Sequence, residues 1–234
     1  SGKLRHRSPS TARSSISTPS FDLVVFDLDG TLVDSRRDLA ESANTVIAAA
    51  GGQPHSEAAI GRMVGDGAAT LIARAFAAAG LPKPDDALEQ FLAVYDARLL
   101  RHTRCYDGVL PLLDALAPRV TLAVLTNKPL AATTEILDGL ELAGYFGARV
   151  LGGDGPHPRK PEPFGLQALI ADAGVPASRT LMVGDSVIDW RTAQAAGAVG
   201  CLARYGFGAD GFPVAEIRPG HRVIDRPLDL LACL

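Results

Sequence analysis

Leu23-Val24-Val25-Phe26-Asp27-Leu28-Asp29-Gly30-Thr31-Leu32-Val33-Asp34-Ser35 is the stretch that decides the fold. Its first four residues form an apolar run too short for a helix and without polar alternation. That pattern reads as a strand buried on both faces of a parallel sheet. The run ends at Asp27 in a loop dense in carboxylates and turn formers. Asp27 and Asp29 bracket Leu28, and alternation along an extended chain sends their side chains to the same side. A turn in which Asp, Gly and Thr merely satisfy the backbone explains one of these carboxylates but not the pair.

Downstream, from residue 36 to about 102, the pattern turns helical. Leu39, Ala43, Val46 and Ile47 suit one helix face, and Gly51-Gly52 stops it. Residues 68–79 form a second helical stretch that closes at Gly80, with Pro82 and Pro84 beyond. A third, over 85–100, puts Leu88, Phe91, Leu92, Tyr95 and Leu99 on one side. No strand is expected here, so residues 36–103 read as a helical insert, and 21–35 with 104–234 as the α/β core. After Tyr106-Asp107-Gly108 helix and strand alternate. A helix over 110–116 precedes a strand over 120–125, which ends in Thr126-Asn127-Lys128-Pro129. A helix over 131–140 leads to a short strand near 148–151 and the Gly- and Pro-rich loop GGDGPHPRKPEP. Then come a helix over 163–173, a strand over 181–183 ending in Gly184-Asp185-Ser186, a helix to 196, and strands over 199–202 and 222–224. Such alternation implies parallel strands with crossover helices on both faces, an α/β doubly wound, Rossmann-like sheet.

The 234 residues suffice for one sizeable core and a small appended unit. With 47% hydrophobic residues and a net charge of −3, bulk disorder is excluded. No apolar run approaches the ~18 residues of a membrane helix, so no membrane partner is expected. A pI near 5.9 leaves no general footprint for nucleic acid. The small net charge is uneven: Lys3, Arg5, Arg7 and Arg13 face no acid in residues 1–20, so the rest of the chain is strongly acidic. That Ser-rich basic tail reads as a loosely attached tag, start or targeting remnant. Cys105, Cys201 and Cys233 are odd in number and widely spaced, which suits reduced thiols in a cytoplasmic protein better than disulfides or a zinc site.

Ligands of an open parallel sheet bind outside the carboxyl ends of its strands. Asp27 and Asp29, Thr126 with Asn127 and Lys128, Lys160, and Asp185 with Asp189 all fall at such ends. Oxygen-only ligands favour a hard cation, and few carboxylates with room for water favour Mg2+. Beside a lysine and outward-facing backbone N–H groups, that cation suits a phosphate dianion.

DLDGTLVDS, the Thr126-Asn127 pair, Lys160 in RKPEP and GDSVID resemble, in order and interval, the four motifs of the haloacid dehalogenase superfamily of phosphotransferases. The resemblance spans essentially residues 21–234 and implies a catalytic core with an inserted helical C1-type cap. It makes Asp27 the nucleophile, forming an aspartyl-phosphate, and Asp29 the general acid and base. Dehalogenating members lack the second Asp, so Asp29 favours phosphoryl transfer. The Thr126 hydroxyl and the Asn127 N–H would hold phosphoryl oxygens, and Lys160 would neutralise Asp27 and the phosphoryl group. Mg2+ would be held by Asp27, the Asp29 backbone carbonyl, Asp185 directly and Asp189 through water. With a phosphate dianion counted, the site still carries about −2, so Lys128 takes an accessory phosphate role.

The helical insert follows the first motif directly, where the superfamily places a cap that excludes water and meets the leaving group. Its turn Arg62-Met63-Val64-Gly65-Asp66-Gly67 supplies the candidate contacts, Arg62 and the Gly65 and Gly67 N–H groups. DLDGTLVDSRRDL, VGDGA, and GGDGPHPRKPEP with GDSVIDWRTAQAAG and ARYGFG narrow the resemblance to the bacterial phosphoglycolate phosphatase branch. The expected partner is therefore a small phosphorylated metabolite, 2-phosphoglycolate, hydrolysed by a monomer or homodimer. Phosphatases for a sugar phosphate, an amino-sugar phosphate or pyrophosphate, a phosphosugar mutase, and a non-catalytic module on the same fold are the alternatives.

Overall fold

A computed structural model describes residues 20–217 and 219–234. All but the last residue of the expected basic tail therefore lies outside the described residues. The chain runs through β1 (Leu23–Phe26), β2 (Val33–Asp34), α1 (Arg36–Ala49), α2 (Glu57–Gly61), α3 (Ala68–Ala78), α4 (Ala87–Asp96) and β3 (Arg104–Cys105). It continues as α5 (Val109–Leu116), β4 (Thr121–Leu125), α6 (Leu130–Gly139), α7 (Ala143–Phe146), β5 (Val150–Leu151) and α8 (Phe164–Ala173). It closes with β6 (Thr180–Gly184), α9 (Val187–Ala196), β7 (Val199–Ala203) and β8 (Arg222–Ile224).

Six strands form one parallel sheet in the order β5-β4-β1-β6-β7-β8. β1 lies inside it, between β4 and β6, and its residues are at most 1% exposed. Alternation then does its work on both faces. Val24 and Phe26 pack into the larger core with Leu112 and Leu113 of α5 and Ile136 of α6. Leu23 and Val25 pack on the other face with Leu166 and Leu169 of α8 and Ala193 of α9. A strand buried on both sides cannot carry a polar alternation, which is why LVVF reads as it does. The doubly wound α/β expectation is met. In register, Phe26 stands opposite Val124 and Val183, so Asp27, Thr126 and Asp185 leave three adjacent strands at one rim.

The insert leaves and returns through one point. β2 pairs antiparallel with β3, Val33 opposite Cys105 and Asp34 opposite Arg104. Between them α1 to α4 bury Ile47, Ile60, Ile72, Phe76 and Phe91 in a core continuous with the sheet's larger face. Asp38, in the first turn of α1 and fully buried, fastens the exit of the insert to its entry. Its Oδ2 accepts from the His102 N–H at 2.7 Å, the Thr103 N–H at 2.7 Å and the Thr103 hydroxyl at 2.9 Å.

The pattern reading does not anticipate α2, α7 or the β2–β3 ribbon. Four- and five-residue helices show no repeating apolar stripe, and two-residue strands show no alternation. The third insert helix ends at Asp96 rather than residue 100, and β5 keeps only two of four expected residues. All three cysteines are free, and among the described residues no helix is long and apolar enough to cross a membrane.

Asp38→Ala strips three donors of their acceptor at the root of the insert. Urea denaturation should show a loss of about 3 kcal/mol; a change under about 0.5 kcal/mol would show that the clasp contributes little.

Candidate active site

The turn after β1 sets the first two carboxylates. The N–H groups of Thr31, Leu32 and Val33 converge on the Leu28 carbonyl, and Gly30 sits at φ +84°, a conformation that a side chain would strain. Space adds a second reason for glycine, because a Cβ at residue 30 would overlap the Asp185 carboxylate. The Tyr205 hydroxyl donates to the Thr31 carbonyl at 2.9 Å and brings the loop after β7 over this turn. From that loop the Gly208 N–H donates to Asp185 Oδ2 at 2.7 Å.

Asp27, Asp185 and Asp189, all buried, each offer an oxygen within 4.8 Å of the others. Asp189 is placed by the start of α9, where Ser186 is the N-cap and donates its hydroxyl to Asp189 Oδ2 at 2.6 Å. Lys160 enters between two of the three: Nζ lies 2.8 Å from Asp27 Oδ1 and 2.6 Å from Asp189 Oδ1. Burial and then the Asp189 charge push the Asp27 carboxyl up to about 7, against the pull of Lys160. Burial, with Asp189 and Asp27, pushes Asp185 well above the usual carboxylate range. Burial alone would lower Lys160, but Asp189 and Asp27 hold its ammonium above the usual lysine value. One lysine does not neutralise three carboxylates, and an all-oxygen donor set of this charge fits a hard divalent cation.

Asp29 has separate partners. Its Oδ1 accepts from the Ser35 hydroxyl at 2.6 Å, and Lys128 Nζ reaches Oδ1 at 3.1 Å and Oδ2 at 3.0 Å. Lys128, read from sequence as a phosphate contact, is thus an ion-pair partner of Asp29 here. Burial would lower its ammonium and Asp29 holds it up. Thr126 Oγ1 accepts from the Lys128 N–H at 3.2 Å. The Asn127 amide ties two segments together. Its Oδ1 accepts from the Lys160 N–H at 2.9 Å, and its Nδ2 donates to the Lys160 carbonyl at 2.9 Å and to the Gly65 carbonyl at 2.8 Å.

Between rim and insert lies a cavity lined by Asp27, Asp29, Thr126, Asn127, Lys128 and Asp185 from the core. Gly65 and Gly67 line it from the insert, as does Tyr95. Lys160 and Asp189 do not line it, though Lys160 contacts Asp27, which does. Arg62 is the correction: it caps the C-terminal end of α2, is exposed, and does not line the cavity. Turn spacing placed Arg62 in the right segment but could not orient it. Spacing does not single out Ser35, Ser186 or Gly208, because hydroxyls and glycine N–H groups beside carboxylates also serve ordinary turns. In the sequence Tyr95 reads only as part of an apolar stripe.

In divalent-free buffer the buried Asp27 carboxyl yields a sign that can be tested. Its folded value, about 7, exceeds the ordinary 3.8, so the folded state holds this proton more tightly than the unfolded chain. The associated stability is complete below about pH 4 and is lost as pH rises through about 7. Asp27→Asn, which stays neutral, should show a shallower decline in urea-derived stability between pH 5 and pH 8 than the wild type. Parallel declines would show that this carboxyl is not the source.

The model of haloacid dehalogenase-like hydrolases matches residues 21–197. The chain is 45% identical over 203 residues to a phosphoglycolate phosphatase of Rhodospirillum rubrum, covering 83% of each chain. It is 38% identical over 208 residues to a phosphoglycolate phosphatase of Agrobacterium fabrum, covering 87% of this chain and 88% of that one. A crystal structure of a predicted phosphoglycolate phosphatase from Haemophilus somnus superposes with a TM-score of 0.85 at 32% identity, over 93% of this chain and 99% of that one. By sequence, fold and family match, this chain belongs to the haloacid dehalogenase-like hydrolases.

Proposed function

We propose that this phosphoric monoester hydrolase is a Mg2+-dependent phosphatase that converts 2-phosphoglycolate to glycolate and phosphate through an aspartyl-phosphate on Asp27. The observation that carries the reading is the arrival of Asp27 and Asp29 at one cavity, each against its own lysine. Two carboxylates in different surroundings suit two roles, one as nucleophile and one as proton carrier.

Asp27, Asp185 and Asp189, with the Asp29 backbone carbonyl, are the groups that would hold Mg2+. When bound, the cation offsets the repulsion between a carboxylate and a phosphate dianion. Asp27 attacks phosphorus, the ester P–O bond breaks, and Asp29 gives a proton to the departing alkoxide. Asp29 then takes a proton from the water that attacks the aspartyl-phosphate, and Asp27 is regenerated. Lys160 keeps the Asp27 oxygen in place and shares the charge of the transferring group. The Thr126 hydroxyl and the Asn127 N–H hold its equatorial oxygens. Ser35 and Lys128 keep Asp29 directed at the leaving oxygen. The insert acts as a cap whose Gly65–Asn127 contact draws it onto the rim and sheds water.

Relatives named phosphoglycolate phosphatase favour 2-phosphoglycolate as the substrate. Purified enzyme should hydrolyse it with a higher kcat/KM than sugar or amino-sugar phosphates, and chelation of divalent cations should abolish turnover. Asp27→Asn should reduce kcat by about a thousandfold or more while the protein stays folded by circular dichroism. A sugar phosphate that outperforms 2-phosphoglycolate would overturn the substrate, and near-normal turnover by the variant would overturn the nucleophile.

A further inference from the structure

Nearly every polar group that lines the cavity already has a partner. Asp29 is met by Ser35 and Lys128, Asn127 by Lys160 and Gly65, and Asp185 by Gly208. Among the described residues lining it, Tyr95 alone carries a side-chain polar atom that is sealed from solvent and makes no hydrogen bond of normal geometry, its one polar interaction being with the Lys128 ammonium. Tyr95 belongs to α4 of the insert and is 3% exposed. Its ring stacks on Phe91, with centroids 5.6 Å apart and planes 9° from parallel. The Lys128 ammonium, which also pairs with Asp29, lies 4.6 Å from the Tyr95 ring centroid.

The ring would pack as well without its oxygen, since the neighbouring apolar positions on this helix, Phe91 and Leu92, carry hydrocarbon only. A buried phenol without a hydrogen bond of normal geometry costs stability, so its hydroxyl calls for a ligand. Burial pushes the phenol up to about 12, which leaves it a neutral O–H donor at ordinary pH. An O–H and an ammonium side by side both present protons. A carboxylate offers two oxygens and no proton of its own, and so satisfies both. An alcohol or sugar hydroxyl would bring a further proton to a place where the nearby acceptor, Asp29, is already engaged.

We propose that Tyr95 is the specificity residue of the insert, its hydroxyl donating, beside the Lys128 ammonium, to the carboxylate of a short anionic leaving group. This rests on the phosphoglycolate reading and adds to it the group that recognises the acid. It also gives the insert the donor for which Arg62 is wrongly placed.

The test compares 2-phosphoglycolate with ethyl phosphate, in which a methyl replaces the carboxylate, for wild type and Tyr95→Phe. Wild type should favour 2-phosphoglycolate in kcat/KM, and the variant should lose that preference by about tenfold to a hundredfold. Its melting temperature should equal or exceed that of wild type, because the stacking on Phe91 is kept and a polar atom without a normal hydrogen bond is removed. A preference undiminished in the variant would overturn the role of Tyr95 and leave the substrate reading standing. A wild-type enzyme without any preference for the carboxylate ester would overturn the substrate reading itself. A markedly lower melting temperature in the variant would mark the hydroxyl as structural and count against the proposal.

Discussion

Three carboxylates and one ammonium in a single buried cluster are the constraint around which this molecule is arranged. Asp27, Asp185 and Asp189 have oxygens within 4.8 Å of one another, and Lys160 bridges only Asp27 and Asp189. Bringing like charges out of water is expensive unless opposite charge and hydrogen bonds are supplied at short range. The chain supplies them from three places: the Gly208 N–H to Asp185, the Ser186 hydroxyl to Asp189, and Lys160, whose loop is tied to β4 by the Asn127 amide. The remaining deficit of positive charge fits a hard divalent cation. Close packing follows from the same demand. A side chain at Gly184 would overlap Asp189, just as one at Gly30 would overlap Asp185.

The sheet makes that concentration of charge tolerable. β1 is flanked on both sides and buried on both faces, so Asp27 projects from an inner strand rather than from an edge. β4 and β6, its neighbours in register, deliver Thr126 and Asp185 to the same level. The insert then covers the rim from one side, joined to the core by the β2–β3 ribbon and touching it again where Gly65 meets Asn127. Because Asn127 also holds Lys160, the contact that seats the insert and the contact that positions the lysine share one side chain.

Much of this was legible in the sequence, for reasons that differ from residue to residue. LVVF announced a doubly buried strand because no polar residue interrupts it, and the DxD that follows fixed which end of the sheet mattered. Thr126, Lys160, Asp185 and Asp189 were placed at that end by strand–helix alternation alone. Spacing could not say that Lys128 would turn to Asp29, since both a phosphate and a carboxylate satisfy an ammonium. Nor could it orient Arg62, because a turn between short helices leaves side-chain direction to packing. Tyr95 was hidden for the opposite reason: its ring fits an apolar helix stripe, and only the burial of its hydroxyl without a normal hydrogen bond sets it apart.

Covalent capture of phosphate by Asp27 is the claim on which the chemical account stands. Enzyme mixed with 32P-labelled 2-phosphoglycolate and Mg2+, quenched in acid within milliseconds and digested, tests it directly. The expected result is label on the peptide that contains Asp27, formed and lost at rates that match turnover. Turnover without protein-bound phosphate, or label that maps to another residue, would contradict it.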